Sequence, residues 1–189
     1  MSVERPVGPT YQKVFARVIR GLETQRIPYM VVGGLAAAYH GVPRATFDID
    51  LVIGIAPQSL KPLVRLLRKL GFDLHLSDAE LLFKVGNQLQ TINKNRVRLD
   101  LWLIRTDYDR EAFSRRRRVT LWPGQPAWVV AAEDTILSKL IAGRTKDFED
   151  IRGVVEVQKL QLDWGYLNAW AKRLDLSEAL RRLRRGRAS

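Results

Sequence analysis

The chain has 189 residues, 46% of them hydrophobic and 28% charged, a balance that is typical of a soluble globular protein. It has no cysteine and only two histidines, which excludes disulfides, thiolate metal sites and histidine-rich metal centres. The formal charge of +12 favours a polyanionic partner, with nucleic acid ahead of an acidic membrane surface. The alternative is that the charge reflects surface composition alone.

No segment has the sequence of a membrane anchor. The longest apolar stretch, from Tyr29 to Tyr39, contains two glycines and is shorter than the ~20 residues of a membrane-spanning helix. The first ten residues lack the apolar core and cleavage site of a secretory signal. We therefore expect no membrane partner and a cytoplasmic location.

The first half of the chain reads as alternating helices and strands. Apolar residues at helical spacing predict a helix from Thr10 to about Gln25. The Gly33-Gly34 pair then separates a short strand from a short alanine-rich helix. The elements predicted after the first helix are strand Tyr29–Val32, helix Leu35–His40, strand Phe47–Ile53 and helix Ser59–Leu70.

The segment from Phe72 to Asn95 is harder to divide, although a strand is expected near Gln88–Ile92. Strict alternation predicts a second strand at Arg96–Ile104, paired with the first as a hairpin. Later elements are the strands Val119–Trp122 and Trp128–Val130, then the helices Ala132–Ile141, Lys146–Val157, Asp163–Leu174 and Ser177–Arg185. The predicted fold is a mixed-sheet α/β core over residues 1–130 with a helical part, 131–189, packed on it.

Three carboxylates are placed for metal chemistry. Asp48 and Asp50 alternate along one strand and therefore share a face, while Phe47, Ile49 and Leu51 are expected on the other face. Two carboxylates on one face repel each other unless they are solvated or bound to cations. Asp100 supplies a third from a separate strand. Without histidine or cysteine ligands, a hard cation such as Mg²⁺ or Mn²⁺ is the metal that fits.

The order and spacing of these residues resemble the nucleotidyltransferase superfamily, whose core is DNA polymerase β-like. The matching residues are Val32-Gly33-Gly34, then thirteen intervening residues, Asp48-Ile49-Asp50-Leu51, and finally Leu99-Asp100-Leu101. A finer pattern looks like the minimal branch related to AbiEii-type toxins of toxin–antitoxin systems. It comprises Ala37, Tyr39–Gly41, Arg44 and Thr46, with a looser continuation over 133–150.

The resemblance implies transfer of a nucleoside monophosphate from an NTP, with loss of pyrophosphate. By this resemblance Asp48 and Asp50 hold two metal ions, and Asp100 holds the catalytic metal and receives the acceptor proton. Nucleotide binding falls to five further residues: Gly33, Gly34, Arg44 and Lys139 at the triphosphate, and Asp147 orienting Lys139 or a substrate. In the alternative interpretation, Arg44 pairs with the Asp48/Asp50 carboxylates, and Lys139 and Asp147 are ordinary helix-surface residues.

Several molecules could serve as the acceptor of the nucleoside monophosphate. Arginine clusters at 110–118 and 176–189 favour RNA, with tRNA first, and the resemblance adds a possible toxin with a cognate antitoxin. One alternative is a non-catalytic nucleic-acid-binding or partner-binding module of the same fold. Another is a small-molecule adenylyltransferase of the aminoglycoside type, although an acidic acceptor pocket would then be expected in place of a basic surface.

Overall fold

The computed structural model describes residues 8–43, 45–86 and 88–185. These residues form six strands, nine α-helices and one 3-10 turn at Pro57–Ser59. The strands are β1 (Tyr29–Val31), β2 (Asp48–Ile53), β3 (Leu89–Ile92), β4 (Arg98–Leu103), β5 (Arg117–Trp122) and β6 (Gln125–Val129). The helices are α1 (Pro9–Thr24), α2 (Gly33–His40), α3 (Leu60–Lys69), α4 (Leu76–Val85), α5 (Asp107–Ser114), α6 (Ala132–Ala142), α7 (Thr145–Gln158), α8 (Trp164–Arg173) and α9 (Ser177–Arg185).

All six strands join one mixed sheet in the order β3-β4-β2-β1-β6-β5. β1 runs antiparallel to β2 and parallel to β6, and β2 runs parallel to β4. The two outer pairs are antiparallel hairpins, β3 with β4 and β5 with β6. The predicted mixed-sheet α/β fold is confirmed, as is the predicted hairpin, which is formed by β3 and β4.

Apart from α5, the helices pack in two groups around this sheet. α3 contacts α1 and α4, whereas α2, α6, α7, α8 and α9 form a second connected group. The apolar residues of both groups belong to one hydrophobic core, which includes Phe15 and Leu67 from the first group and Leu137 and Leu167 from the second. None of the described helices is both long enough and apolar enough to cross a membrane.

Two glycines bring α2 and α7 into direct backbone contact. A Cβ atom at Gly41 would lie 2.7 Å from the backbone nitrogen of Val154, and one at Gly153 would lie 3.2 Å from that of Val42. A glycine inside a helix costs ~1 kcal/mol relative to alanine. The close approach of α2 explains why Gly153 is present in the middle of α7.

The structure differs from the sequence prediction at several places. α4 was not predicted, because two of its large apolar residues, Leu81 and Val85, are exposed and give the segment no single apolar face. β5 and β6 both begin earlier than expected, at Arg117 and Gln125. Phe47 does not share the buried face of β2, since it precedes the strand and is 73% exposed.

Candidate functional site

The pairing of β2 with β4 brings the three predicted carboxylates together. These strands are parallel and in register, so that Asp48 lies opposite Arg98 and Asp50 lies opposite Asp100. Opposite residues of paired strands point to the same side of the sheet. We call Asp48, Asp50 and Asp100 the carboxylate face. Its members differ in exposure, since Asp100 is buried whereas the Asp48 side chain is 38% exposed.

The beginning of α2 is fitted closely to Asp50. Gly33 has a φ of +65° and no room for a side chain, because a Cβ atom there would collide with the Asp50 carboxylate. The backbone N–H of Gly34 donates a hydrogen bond to Asp50. The glycine pair therefore brings the positive end of a helix to a carboxylate, and its position is set by both φ and space.

Burial and mutual repulsion shift the pKa values of Asp50 and Asp100. Burial, followed by the charge of Asp100, raises the pKa of Asp50 to about 6, against the lowering effect of the Gly34 hydrogen bond. Burial also raises the pKa of Asp100, although Arg98 acts in the opposite direction. One oxygen of Asp100, Oδ1, is buried and has no hydrogen-bond partner among the described residues. A face with these properties favours the approach of a cation.

Arg98 is the cation that the structure places between these carboxylates. Its Nη2 donates to Asp48 Oδ2 at 2.6 Å, and its Nε lies 3.4 Å from Asp100 Oδ1 at ion-pair distance. The sequence hypothesis gave the counter-charge to Arg44, which lies outside the described residues. Sequence reasoning missed Arg98, although its position two residues before Asp100 on an alternating strand was the signal that could have found it.

Lys139, Arg144, Asp147 and Asp150 form a second charged group, which we call the lysine cluster. The ammonium of Lys139 donates to Asp147 Oδ1 at 2.8 Å and to Asp150 Oδ2 at 2.5 Å. Arg144 Nε donates to Asp147 Oδ2 at 2.7 Å. Lys139 and Asp147 are buried, so they are not the surface residues of the alternative interpretation.

The electrostatics of the lysine cluster are balanced. Burial alone would raise the pKa of Asp147, but hydrogen bonds from Arg144 and Lys139 lower it to about 2. Two cations and two carboxylates leave the cluster with no net charge. The Arg144 side chain is nevertheless 61% exposed, which makes it the member of the cluster that solvent and ligands can reach.

The lysine cluster lies within electrostatic reach of the carboxylate face. The positive charge of Lys139 acts to lower the pKa of Asp50, and the charge of Asp50 contributes to a raised pKa of Arg144. A cavity of about 340 Å³ adjoins the cluster between α2 and α7, and Lys146, Glu149 and Asp150 are among its lining residues. α2 thus holds the predicted residues Gly33 and Gly34 beside Asp50, and the predicted residues Lys139 and Asp147 pair with each other in the neighbouring lysine cluster.

The arginines at 115–118 do not form one cluster. Arg115 pairs with Asp134 at 3.1 Å and with Glu133 at 3.0 Å, and its guanidinium lies over the ring of Tyr166. Tyr166 also donates to Asp134 at 2.6 Å, which fastens α8 to α6. Arg115 therefore has a structural role that the sequence did not indicate.

The next three arginines, at positions 116 to 118, also have separate environments. Arg116 lies over the rings of Phe113 and Trp128, and Arg118 pairs with Glu23 at 2.9 Å. Among the described residues, only Arg117 of this series has no ion pair or ring contact. The second predicted cluster is described in part, because residues 186–189 lie outside the described residues.

The fold and this arrangement of carboxylates define a class of enzymes. Residues 13–183 match the family described as nucleotidyltransferase of unknown function (DUF6036), and the chain belongs to that family. The protein is therefore a nucleotidyltransferase, which favours the enzyme over the non-catalytic module among the interpretations of the sequence. A search of curated proteins finds no match.

Solved structures of the same fold cover most of the chain. The antibiotic-resistance factor ANT(2'')-Ia, in complex with adenylyl-2''-tobramycin, is 17% identical over 95% of this chain and 99% of its own, with a TM-score of 0.59. The lincosamide antibiotic adenylyltransferase LnuA, bound to lincomycin, is 13% identical over 77% of this chain and 97% of its own, with a TM-score of 0.56.

A third similar structure is an antigenic nucleotidyltransferase-like protein from Paracoccidioides brasiliensis. It is 20% identical over 93% of this chain and 94% of its own, with a TM-score of 0.56. At these identities the likeness shows the fold alone.

Proposed function

We propose that this nucleotidyltransferase moves a nucleoside monophosphate from an NTP to RNA at the carboxylate face, with a divalent metal ion as cofactor. The observation that carries the proposal is the in-register pair Asp50 and Asp100, in which two like charges are held side by side. Such a pair is unfavourable by itself and becomes favourable when a cation binds between the two groups.

The carboxylate face fits a hard divalent cation. Its donors are all carboxylate oxygens, which Mg²⁺ and Mn²⁺ prefer, and the buried Asp100 Oδ1 has no hydrogen-bond donor. Among the described residues, no three acidic or imidazole side chains already form a finished metal site. The guanidinium of Arg98 occupies this face instead, since it donates to Asp48 and lies at ion-pair distance from Asp100.

Each residue has a separate task in this proposal. Asp48, Asp50 and Asp100 would hold the metal, which supplies Lewis-acid stabilisation of the triphosphate when it is bound. Asp100 is also the base that would take the proton of the attacking hydroxyl, since burial raises its pKa. Arg98, once displaced from Asp48, is free to contact phosphate oxygens at the rim of the site.

The lysine cluster contributes two basic side chains to the proposed site, Lys139 and Arg144. Lys139 is committed to Asp147 and Asp150, so we assign it a positioning role in place of direct phosphate contact. Arg144 is held by Asp147 yet exposed, which suits it to contact the triphosphate. Gly33 and Gly34 keep the N-terminus of α2 beside Asp50, where helix dipoles favour anionic groups.

RNA is proposed as acceptor because of the charge of the chain. A formal charge of +12 repels cationic acceptors such as aminoglycosides and attracts phosphodiester backbones. A small-molecule acceptor is the second candidate. The structural match to ANT(2'')-Ia favours it, because the match covers 95% of this chain and 99% of that protein.

A transfer assay tests the proposal. The purified protein would be incubated with each labelled NTP in turn, with Mg²⁺ or Mn²⁺ and total RNA. We expect label in RNA, and its loss in Asp50→Asn and Asp100→Asn, because each substitution removes a carboxylate from the metal site. Asp73→Asn is the matched control, since Asp73 is exposed and lies outside the site. Label on an added aminoglycoside or lincosamide, with none on RNA, would replace RNA by the second candidate.

The AbiEii-type toxin branch and a cognate antitoxin stay predictions. If the protein is a toxin, its induced expression should arrest growth of the host cells, and the arrest should disappear with Asp50→Asn at equal protein level. Unchanged growth with a protein that is active in the transfer assay would contradict the toxin role and leave the enzymatic activity intact.

A further inference from the structure

A groove beside α3 carries a concentration of positive charge outside the catalytic site. Its volume is about 540 Å³, and four basic side chains line it together with Val64 of α3 and Leu76 at the start of α4. The four cations are Lys61, Arg65, Arg68 and Lys69, and we call this surface the basic groove. No carboxylate lines it.

The spacing of these cations places them on one face of the helix. Lys61, Arg65 and Lys69 follow one another at intervals of four residues, and Arg68 is seven residues after Lys61. All four are exposed, whereas Leu60, Leu63 and Leu67 on the other side of the helix are buried. The apolar face of α3 therefore fixes the direction in which the basic face points.

The charges of the groove are not balanced within the protein. None of the four cations forms an ion pair with any described residue, in contrast to Arg115, Arg118 and Lys139. Like charges four residues apart on a helix destabilise it. Lys61 also occupies the first turn, where the helix dipole favours acidic residues, and that turn contains none.

We propose that the basic groove binds the phosphate backbone of the RNA acceptor. A polyanion is the ligand that removes the repulsion among four cations on one face, and release of its condensed counterions provides the driving force. The inference rests on the RNA acceptor of the proposed function and gives that acceptor a docking surface. This surface belongs to the α1, α3 and α4 side of the molecule, whereas the carboxylate-bearing strand β2 contacts α2, which packs against α6 and α7.

The test compares the salt dependence of RNA binding in matched variants. The probe is a labelled single-stranded RNA, titrated from about 50 to 200 mM salt, a range in which phosphate contacts dominate affinity. Each contact contributes about 0.7 to the slope of log affinity against log salt. Arg65→Gln with Arg68→Gln should therefore lower the slope by about 1.4 and weaken binding at low salt.

The control removes two exposed cations outside both arginine clusters, Lys159 at the end of α7 and Lys172 of α8 (Lys159→Gln with Lys172→Gln), and should leave the slope unchanged. Thermal unfolding should show that the groove variant is at least as stable as the wild type, because the substitution relieves repulsion on α3. An equal slope in groove variant and wild type, or an equal loss in the control, would overturn the inference.

Failure of the groove and failure of the proposed function give different results. If the wild type labels RNA and the groove variant keeps its slope, the docking surface is wrong and the RNA acceptor stands. If the slope depends on the groove but no RNA is labelled, the groove binds RNA and the acceptor is wrong. A wild type without RNA affinity at about 50 mM salt would overturn both, and label from NTP on a small molecule would then preserve only the transfer activity.

Discussion

The carboxylate face and the lysine cluster are neighbouring groups, and they shift the pKa values of their aspartates in opposite directions. In the lysine cluster every carboxylate has a cation within 3 Å, and the pKa of Asp147 falls to about 2. At the carboxylate face, Asp50 has another carboxylate as its register partner, and its pKa rises to about 6. The ionised form of aspartate is thus stabilised in the lysine cluster and destabilised at the carboxylate face.

The difference separates charge that maintains the fold from charge that awaits a ligand. A paired buried ion stabilises only while both partners are present, so its removal affects folding. Asp50 has no ion-pair partner among the described residues, so it lowers the stability of the folded protein when it is ionised, and carboxylates with such raised pKa values are concentrated at functional sites. The two sites should therefore respond to substitution with opposite signs, and the first two predictions test this directly.

The largest effect is expected for Lys139→Met. The substitution leaves Asp147 and Asp150 buried without the ammonium between them, and such a loss costs about 3–5 kcal/mol of unfolding free energy. Lys159→Met is the matched control, because Lys159 pairs with Glu156 on the surface, where ion pairs contribute about 0–1 kcal/mol. Denaturant titration measures both, and equal costs would show that the lysine cluster is not a structural ion pair.

Asp50→Asn should have the opposite sign. Because the folded-state pKa of about 6 lies above the unfolded value near 3.8, Asp50 costs the metal-free wild type stability as the pH rises through 6. At pH 7 the variant should therefore be more stable by up to about 3 kcal/mol, and the difference should disappear near pH 4. Denaturant titration at the two pH values checks this. A variant less stable than the wild type at pH 7 would contradict the interpretation.

Acid should weaken the lysine cluster. The folded-state pKa of Asp147, about 2, lies below its ordinary value of 3.8, so its contribution is complete above about pH 4 and is lost as the pH falls through 2. The shift corresponds to about 2 kcal/mol. The gap in unfolding free energy between wild type and Asp147→Asn should narrow over this range, and a constant gap would show that ionisation of Asp147 is not what stabilises the cluster.

The smallest effect concerns Arg98, which in the proposed site would compete with a metal for Asp48 and Asp100. A hydrogen bond to a charged group is worth about 1.5 kcal/mol, so Arg98→Gln should tighten Mn²⁺ binding about tenfold. Calorimetric titration of the nucleotide-free protein at about pH 8, where carboxylates are ionised, measures this without an activity assay. Arg96→Gln, on an exposed turn nearby, is the control. Weaker Mn²⁺ binding by Arg98→Gln would mean that Arg98 assists the metal site.

Much of the carboxylate face could be predicted from the sequence because strand alternation is a local property. Because side chains alternate between the two faces of a strand, the sequence alone places Asp48 and Asp50 on one face of β2. It also places Asp100 on the face of β4 that does not carry Leu99 and Leu101. The register that sets Asp50 beside Asp100 was not predictable, since β2 and β4 are distant in sequence and pair through the tertiary structure.

The lysine cluster depends on geometry that spacing does not reveal. Lys139 reaches Asp147 and Asp150 because Gly143, with a φ of +63°, ends α6 and lets α7 fold back against it. The number of residues between two positions on either side of such a turn does not give the distance between their side chains. The roles of Arg115 and Arg118 were hidden for the same reason, because their partners Asp134 and Glu23 come from other elements.

The backbone contact between Gly41 and α7 limits how α2 and α7 can move relative to each other. Because α2 and α7 touch through main-chain atoms at Gly41 and Gly153, no side-chain rotation can change the spacing between these helices. α2 presents its N-terminus to Asp50, and α7 carries Asp147 and Asp150. In the proposed site, the nucleotide would therefore lie against two helices whose spacing is set by the main chain, and adaptation to different acceptors would be left to the parts of the molecule around them.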